Sequence, residues 1–116
     1  MKENKLLLLS QEFAVEIIKL SKELKIKKEN SFSDQIKRSG TSISANIAEG
    51  GHPQSRADMI SKFEIALKEA SETENWLTLL KDAKLINLET FESLHKKVIK
   101  IKILLIKSIQ TLKSKE

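Results

Sequence analysis

The sequence predicts an all-α fold, an antiparallel up-down four-helix bundle that forms one domain over residues 1–116. Three observations support this prediction. Apolar residues recur at alternating spacings of three and four, which is the pattern of a helix with one buried face. One proline and three glycines leave few interruptions to long helices. Only four Phe and one Trp are present, with no Tyr, a composition that suits a helical bundle better than a β-sandwich.

Helices 1 and 2 are predicted over about residues 4–27 and 33–50. Ser33 is the expected N-cap of helix 2, and the Gly50-Gly51 pair is expected to end it in a left-handed conformation. The inner face of helix 2 is formed by Ile36, Gly40, Ile43 and Ile47. Because a glycine inside a helix costs about 0.5–1 kcal/mol relative to alanine, we expect the inner face to compensate through close packing.

Helices 3 and 4 are predicted over about residues 55–83 and 88–113, with Ser55 and Asn87 as N-caps. The inner face of helix 3 is nearly unbroken and comprises Met59, Phe63, Ala66, Ala70, Thr73, Leu77 and Leu80. Its small residues match the small residues of helix 2. We therefore expect these two helices to pack closely along their length.

Helix 4 carries more apolar surface than one bundle core requires. Its main apolar face comprises Phe91, Leu94, Val98, Ile101, Leu105 and Leu112. A second set, Ile99, Ile103 and Ile106, lies about 100° round the helix. We expect the second set to form an oligomer interface with another copy of the chain. The alternative is that the core of the bundle itself takes up both sets.

The net charge of +5 is unevenly spread. Residues 89–116 hold seven lysines against three acids, whereas residues 51–88 are nearly balanced. Within helix 4, Lys96, Lys100 and Lys107 fall together on the side away from the main apolar face. A basic helix of this kind suits an anionic partner. The alternative is a lysine-rich surface that serves solubility.

The sequence offers little catalytic chemistry. Glu92 and His95 have the Glu-x-x-His spacing of di-iron bundles, but such sites need two of these motifs and two further glutamates. The only other match, Glu49 to His52, runs through the end of helix 2. The serines have no acid–base partner, and no glycine-rich phosphate loop is present. We therefore expect no enzymatic activity, no metal, no cofactor and no small-molecule substrate.

Targeting features are also lacking in the sequence. The apolar run over residues 6–9 is shorter than the roughly seven residues of a secretion signal core, and no run approaches the length of about 18 residues needed to cross a membrane. No cysteine is present, which is typical of a protein of a reducing compartment. These features predict a cytoplasmic protein that does not enter a membrane.

Residues 35–50, QIKRSGTSISANIAEG, resemble a signature of the 23S rRNA intervening-sequence proteins, a bacterial family of four-helix bundles. The signature runs approximately Gln-Leu-Arg-Arg-Ala-Ala-x-Ser-Ile-x-x-Asn-Ile-Ala-Glu-Gly. Residues 65–74, IALKEASETE, are similar to the third-helix pattern of that family. Two departures stand out. Lys37 stands where the signature has an arginine, so the bidentate hydrogen bonding of a guanidinium group is lost at that position. Ser39-Gly40 stands where the signature has an alanine pair.

The resemblance implies a subunit that commonly assembles into a homopentameric ring. It extends to a relative, the accessory variability protein of diversity-generating retroelements, which binds a reverse transcriptase and nucleic acid through a basic surface. A pentamer would bury the second isoleucine set and carry a charge of about +25, enough for a strong salt-dependent attraction to nucleic acid.

Charge and resemblance together predict a non-enzymatic oligomer that binds structured RNA or a ribonucleoprotein. The expected contacts are Lys37, Arg38, Arg56 and Lys62 around the turn between helices 2 and 3, and Lys96, Lys100 and Lys107 on helix 4. Because few aromatic side chains are available to stack on bases, we expect contacts to the RNA backbone. The alternative is a protein-interaction scaffold that docks a partner enzyme, such as a reverse transcriptase, without touching nucleic acid.

Overall fold

The computed structural model describes residues 2–115, and the side chains of residues 5–115. Its helices are α1 (Lys2–Ile26), α2 (Asn30–Gly50), α3 (Arg56–Asp82) and α4 (Leu88–Ser114). Each helix packs against the next one in the chain, and α1 also contacts α4. The resulting bundle measures 47 × 21 × 20 Å. The predicted all-α, four-helix fold is confirmed.

The N-caps of α3 and α4 are those predicted from the sequence. The Ser55 side chain accepts a hydrogen bond of 3.1 Å from the backbone N–H of Asp58. The Oδ1 atom of Asn87 accepts one of 2.7 Å from the backbone N–H of Thr90. Each side chain thereby satisfies one of the backbone donors that the first turn of a helix leaves without a partner.

The prediction that Ser33 caps α2 is wrong. The helix begins three residues earlier, at Asn30, and Ser33 is buried within it. The Ser33 hydroxyl donates a hydrogen bond of 2.7 Å to the carbonyl oxygen of Ser21 in α1. Serine often caps the start of a helix. At this position it links two helices instead, because its hydroxyl finds an acceptor on the neighbouring helix.

One apolar core runs the length of the bundle. It is built mainly from the predicted inner faces: Leu6, Phe13, Ile17, Leu20, Leu24, Ile36, Ile43, Ile47, Phe63, Ala66, Ala70, Leu77, Leu80, Leu94, Val98, Ile101 and Leu105. At the end of the bundle where α3 begins and α4 ends, the buried positions differ from the predicted ones by one residue on α3 and by three on α4. Ile60 and Ile109 are buried there, whereas Met59 and Leu112 are only partly buried.

The two glycines within α2 allow close contacts with two different helices. A Cβ atom at Gly40 would lie 2.7 Å from Cγ2 of Ile17 in α1, and one at Gly50 would lie 2.6 Å from Cε1 of Phe63 in α3. Real Cβ atoms do not approach other atoms so closely, so neither position accepts a side chain without movement of its neighbour. The predicted close packing of α2 is therefore confirmed, with Gly40 directed at α1.

The predicted left-handed end of α2 is wrong. Gly51 has φ −74° and ψ −12°, and its backbone N–H bonds back to the carbonyl oxygens of Ile47 and Ala48. Among the described non-glycine residues, positive φ angles occur at Lys28 (65°) and Lys84 (62°), just after α1 and α3. Directly after Lys28, the backbone N–H of Glu29 donates a hydrogen bond of 2.9 Å to the carbonyl oxygen of Leu24. Directly after Lys84, the backbone N–H of Leu85 donates one of 2.9 Å to the carbonyl oxygen of Leu80. These two lysines occupy helix-ending positions that usually hold glycine.

Replacing Lys28 or Lys84 with glycine is expected to stabilise the protein by about 0.5–1 kcal/mol at each site, because glycine adopts positive φ without the steric cost of a Cβ atom. Urea denaturation followed by circular dichroism measures the effect. The control is Lys22→Gly in the exposed interior of α1, where the same change should cost about 1 kcal/mol. A loss of stability in Lys28→Gly comparable with that control would contradict the prediction.

Candidate nucleic-acid interface

Arg38 is bound to two carboxylates of α3. Its Nη1 atom lies 3.2 Å from Oε2 of Glu69, and its Nη2 atom contacts Glu72. Glu72 also accepts a hydrogen bond of 3.0 Å from the indole N–H of Trp76. Two negative charges therefore surround one positive charge, and the guanidinium of Arg38 serves to link α2 to α3.

Lys62 and Arg56 also make contacts within the subunit, at the end of the bundle where α3 begins. The Nζ atom of Lys62 lies 2.9 Å from Oε1 of Glu49. The hydrogen bond from Lys62 to Glu49 and the charge of that carboxylate raise the pKa of Lys62 above its usual value. The Nη1 atom of Arg56 donates a hydrogen bond of 2.6 Å to the carbonyl oxygen of Lys115.

The four basic residues expected near the turn between α2 and α3 are not brought together. Arg38 lies about 16 Å along α2 from Glu49, the partner of Lys62. Lys37 is exposed and forms no ion pair within the described part of the chain. Of this group, Lys37 and Arg56 are therefore exposed and have no ion pair with a described acidic side chain, since Arg56 contacts only a backbone carbonyl.

Helix α4 contains six lysines, and three of them pair with glutamates of the neighbouring helices. The pairs are Lys97–Glu16, Lys102–Glu74 and Lys113–Glu64, with Nζ–Oε distances of 2.8, 2.8 and 3.0 Å. The first joins α4 to α1, and the other two join it to α3. These three lysines lie on the flanks of α4, where each reaches across to the adjacent helix.

The other three lysines of α4 point away from the bundle. Lys96, Lys100 and Lys107 are exposed, and none has a carboxylate within 4 Å in the part of the chain that the structure describes. At about 1.5 Å per residue, they span about 16 Å of the helix. We call this row the outer lysine strip. It is a line of positive charge that no described acidic side chain neutralises.

The second isoleucine set lies beside the outer lysine strip. Ile103 and Ile106 are 48% and 40% exposed, and Ile99 is half-buried. Ile103 and Ile106 therefore do not belong to the core of their own bundle. We call the three side chains the isoleucine strip. Its predicted role as an oligomer interface remains a prediction.

A half-buried polar cluster joins α3 to α4 around the carboxylate of Glu74. One of its oxygens accepts a hydrogen bond of 2.8 Å from Lys102, and the other lies 3.1 Å from Nε2 of His95. The imidazole of His95 stacks on Phe91, with ring centroids 4.9 Å apart. The partner of His95 is thus on another helix, and no group of three His, Asp or Glu side chains within residues 5–115 is arranged to hold a metal ion.

Because hydrogen bonding from Lys102 and the adjacent positive charge lower the pKa of Glu74, this carboxylate stabilises the fold above its unfolded pKa. That contribution is lost as the pH falls through the lower, folded pKa. Glu74→Gln is expected to destabilise the protein by up to about 1 kcal/mol at neutral pH. Below about pH 4.5, the free energy of unfolding of the variant should also fall less steeply with decreasing pH than that of the wild type.

Urea denaturation at a series of pH values tests this expectation. The matched control is Glu64→Gln, which removes a carboxylate from a more exposed lysine pair of the same two helices. The control should have nearly wild-type stability at neutral pH. If Glu74→Gln and the wild type declined in parallel on acidification, Glu74 would not contribute to the acid sensitivity.

Comparison with known proteins assigns this sequence to a family. A profile described as the 23S rRNA-intervening sequence protein matches residues 2–107. The chain belongs to the 23S rRNA-intervening sequence protein family. The resemblance found in the sequence is therefore confirmed. Within residues 2–115, no helix is long and apolar enough to span a lipid bilayer.

A solved structure supports the same assignment. It is the crystal structure of a protein of unknown function from the S23 ribosomal protein family of Bacteroides thetaiotaomicron VPI-5482. The two chains are 49% identical, the match covers 95% of this chain and 99% of that chain, and the TM-score is 0.91. The comparison with curated proteins found no match.

In this member of the 23S rRNA-intervening sequence family, most of the signature serves the architecture. Its apolar positions and both glycines of α2 lie in the packed interior. Arg38 and Glu49 pair with charged residues of α3. Lys37 alone among the charged residues of the signature is free of ion pairs to described residues. Among the four helices, α4 has the largest excess of basic over acidic residues, with six lysines and two glutamates.

Proposed function

We propose that this family member is a non-enzymatic, cytoplasmic homo-oligomer that binds the backbone of structured RNA through the outer lysine strip of α4. The distribution of charge on α4 supports the proposal. Three flanking lysines are neutralised by glutamates of α1 and α3, whereas the three outward-facing lysines are not. A helix face that retains its charge in one row can neutralise successive phosphates.

The chemistry of the outer lysine strip favours backbone contacts over base recognition. Lysine presents a compact positive charge that attracts phosphate without fixing its orientation. Phe13 and Phe63 are buried in the core, and Trp76 is partly buried against it, so these rings are not free to stack on bases. The expected ligand is therefore RNA that is recognised by its shape and its phosphates.

The isoleucine strip supports an oligomeric form of this site. Burial of Ile103 and Ile106 against a second copy would remove exposed apolar surface that a lone subunit leaves in water. Because the two strips share α4, assembly would bring the lysines of several subunits onto one particle. Several weak sites held together bind much more tightly than each does alone. A pentamer is the assembly that the family resemblance favours.

Fluorescence anisotropy with a labelled RNA hairpin, measured from about 50 to 200 mM salt, tests the proposal. Three phosphate contacts predict a slope of about −2 or steeper for the logarithm of the association constant against that of the salt concentration. No binding at the lowest salt, or binding that does not change with salt, would contradict the proposal. A protein partner retained from nuclease-treated lysate by a chain that does not bind RNA would favour the scaffold alternative.

Light scattering in solution gives the mass of the assembly. Ile103→Glu places a charge in the isoleucine strip and should lower that mass, because burying an unpaired carboxylate is costly. Ser93→Glu adds the same charge at an exposed position of α4 that lies about 110° round the helix from the isoleucine strip, and it should leave the mass unchanged. Equal masses for the wild type and Ile103→Glu would argue against this interface.

A further inference from the structure

A cavity of about 320 Å³ opens between α1, α3 and α4, near the beginning of α1 and the end of α4. Its apolar wall reaches the core of the bundle. Leu6 and Phe63 belong to that core, being 2% and 1% exposed. Met59, Leu104 and Leu112 are only partly buried, so they supply nearly all of the apolar surface that a ligand could contact. This volume lies at the lower end of the range for small-molecule sites.

The rim of the cavity is basic. Lys5, Lys107 and Lys115 line it, from the start of α1 and the end of α4. Within residues 5–115, none of the three forms an ion pair. The side chains of Ser108 and Thr111 also line the cavity, and neither hydroxyl donates to another described residue. The lining of this largely apolar cavity therefore includes three lysines without an ion pair to a described residue and two hydroxyl side chains.

We propose that this cavity binds the anion of a medium-chain fatty acid, with the alkyl chain against Met59, Leu104 and Leu112 and the carboxylate among the rim lysines. The apolar wall suits the chain because its burial removes hydrocarbon from water. The lysines and hydroxyls supply hydrogen-bond donors for the carboxylate, and charge-assisted bonds of this kind are stronger than neutral ones.

The size of the cavity limits the ligand. At about 30 Å³ for a group the size of water, a volume of 320 Å³ holds about ten non-hydrogen atoms. The nine-carbon alkyl chain of decanoate fits with its carboxylate at the rim, whereas a phospholipid with its glycerol head group and two long chains does not. The proposed ligand is thus a single short acyl chain with one compact anionic group.

Isothermal titration calorimetry with decanoate tests the proposal, and decyltrimethylammonium is the comparison because it has the same chain and the opposite charge. We expect one decanoate to bind per chain, about tenfold more tightly than the cationic amphiphile, because three lysines favour only the anion. Absence of saturable decanoate binding, or equal binding of the two amphiphiles, would overturn the proposal.

Three variants locate the binding. Ser108→Phe places a ring in the cavity and is expected to abolish decanoate binding, while Gln110→Phe adds the same bulk at an exposed position of α4 and should not. Lys5→Gln with Lys115→Gln alters exposed side chains only and should weaken decanoate binding by about two- to tenfold. Unchanged affinity in this lysine double variant would overturn the proposal even if Ser108→Phe failed to fold.

Discussion

Gly40→Ala is expected to destabilise the protein by about 1–3 kcal/mol, although alanine is the better helix former. The new Cβ atom would lie 2.7, 3.0 and 3.1 Å from Cγ2, Cγ1 and Cβ of Ile17. Ile17 is fully buried, so its side chain has no space into which it can move. Either the rotamer of Ile17 or the separation of α1 and α2 must change, and both disturb a packed core.

A double-mutant cycle separates this clash from other effects. Ile17→Ala removes the two Cγ atoms and alone should cost about 2–5 kcal/mol through the cavity that it leaves. In that background Gly40→Ala should be neutral or stabilising, because its main obstacle is gone. The predicted coupling between the two sites is at least about 1 kcal/mol. Guanidinium denaturation of the four proteins measures it.

Ala45→Gly provides the matched control for helix propensity. Ala45 is exposed on the same helix, so its replacement should cost about 0.5–1 kcal/mol through backbone entropy alone. If packing did not restrict position 40, Gly40→Ala would stabilise the protein by a similar amount. A Gly40→Ala variant more stable than the wild type would therefore refute the close contact with Ile17.

The position of Gly40 illustrates what the sequence could reveal about the fold. Its place between Ile36 and Ile43 at helical spacing was enough to predict that it lies on a buried face. The pattern did not reveal that its near neighbour is Ile17 in α1, because periodicity gives the buried side of one helix and not the helix packed against it. Ser33 was misassigned for the same reason, since its hydroxyl bonds to another helix.

The candidate site shows the same division between local and long-range information. Placing Lys96, Lys100 and Lys107 on one outward face needed only the geometry of a single helix. Recognising that Arg38 is neutralised required knowledge of Glu69 and Glu72, which lie 31 and 34 residues away in the chain. Charge partners at such distances depend on how helices pack, which single-sequence patterns do not specify.

Replacing Lys96, Lys100 and Lys107 together with glutamine is expected to lower RNA affinity by at least about tenfold at moderate salt. Each lost phosphate contact should also reduce the salt slope by about 1, so the slope should become shallower by about 2–3. The fold should be nearly unaffected, within about 0.5 kcal/mol, because all three side chains are exposed and form no ion pair with a described residue.

The matched control removes the same charge from α1 by replacing Lys19, Lys22 and Lys25 with glutamine. These lysines are also exposed and form no ion pair with a described residue, so only the location of the change differs. Anisotropy titrations should show a much smaller loss of affinity in the control. Equal losses in both variants would mean that overall charge attracts the RNA. Light scattering must accompany the titrations, because a variant that failed to assemble would lose affinity through reduced avidity even if its lysines did not touch RNA.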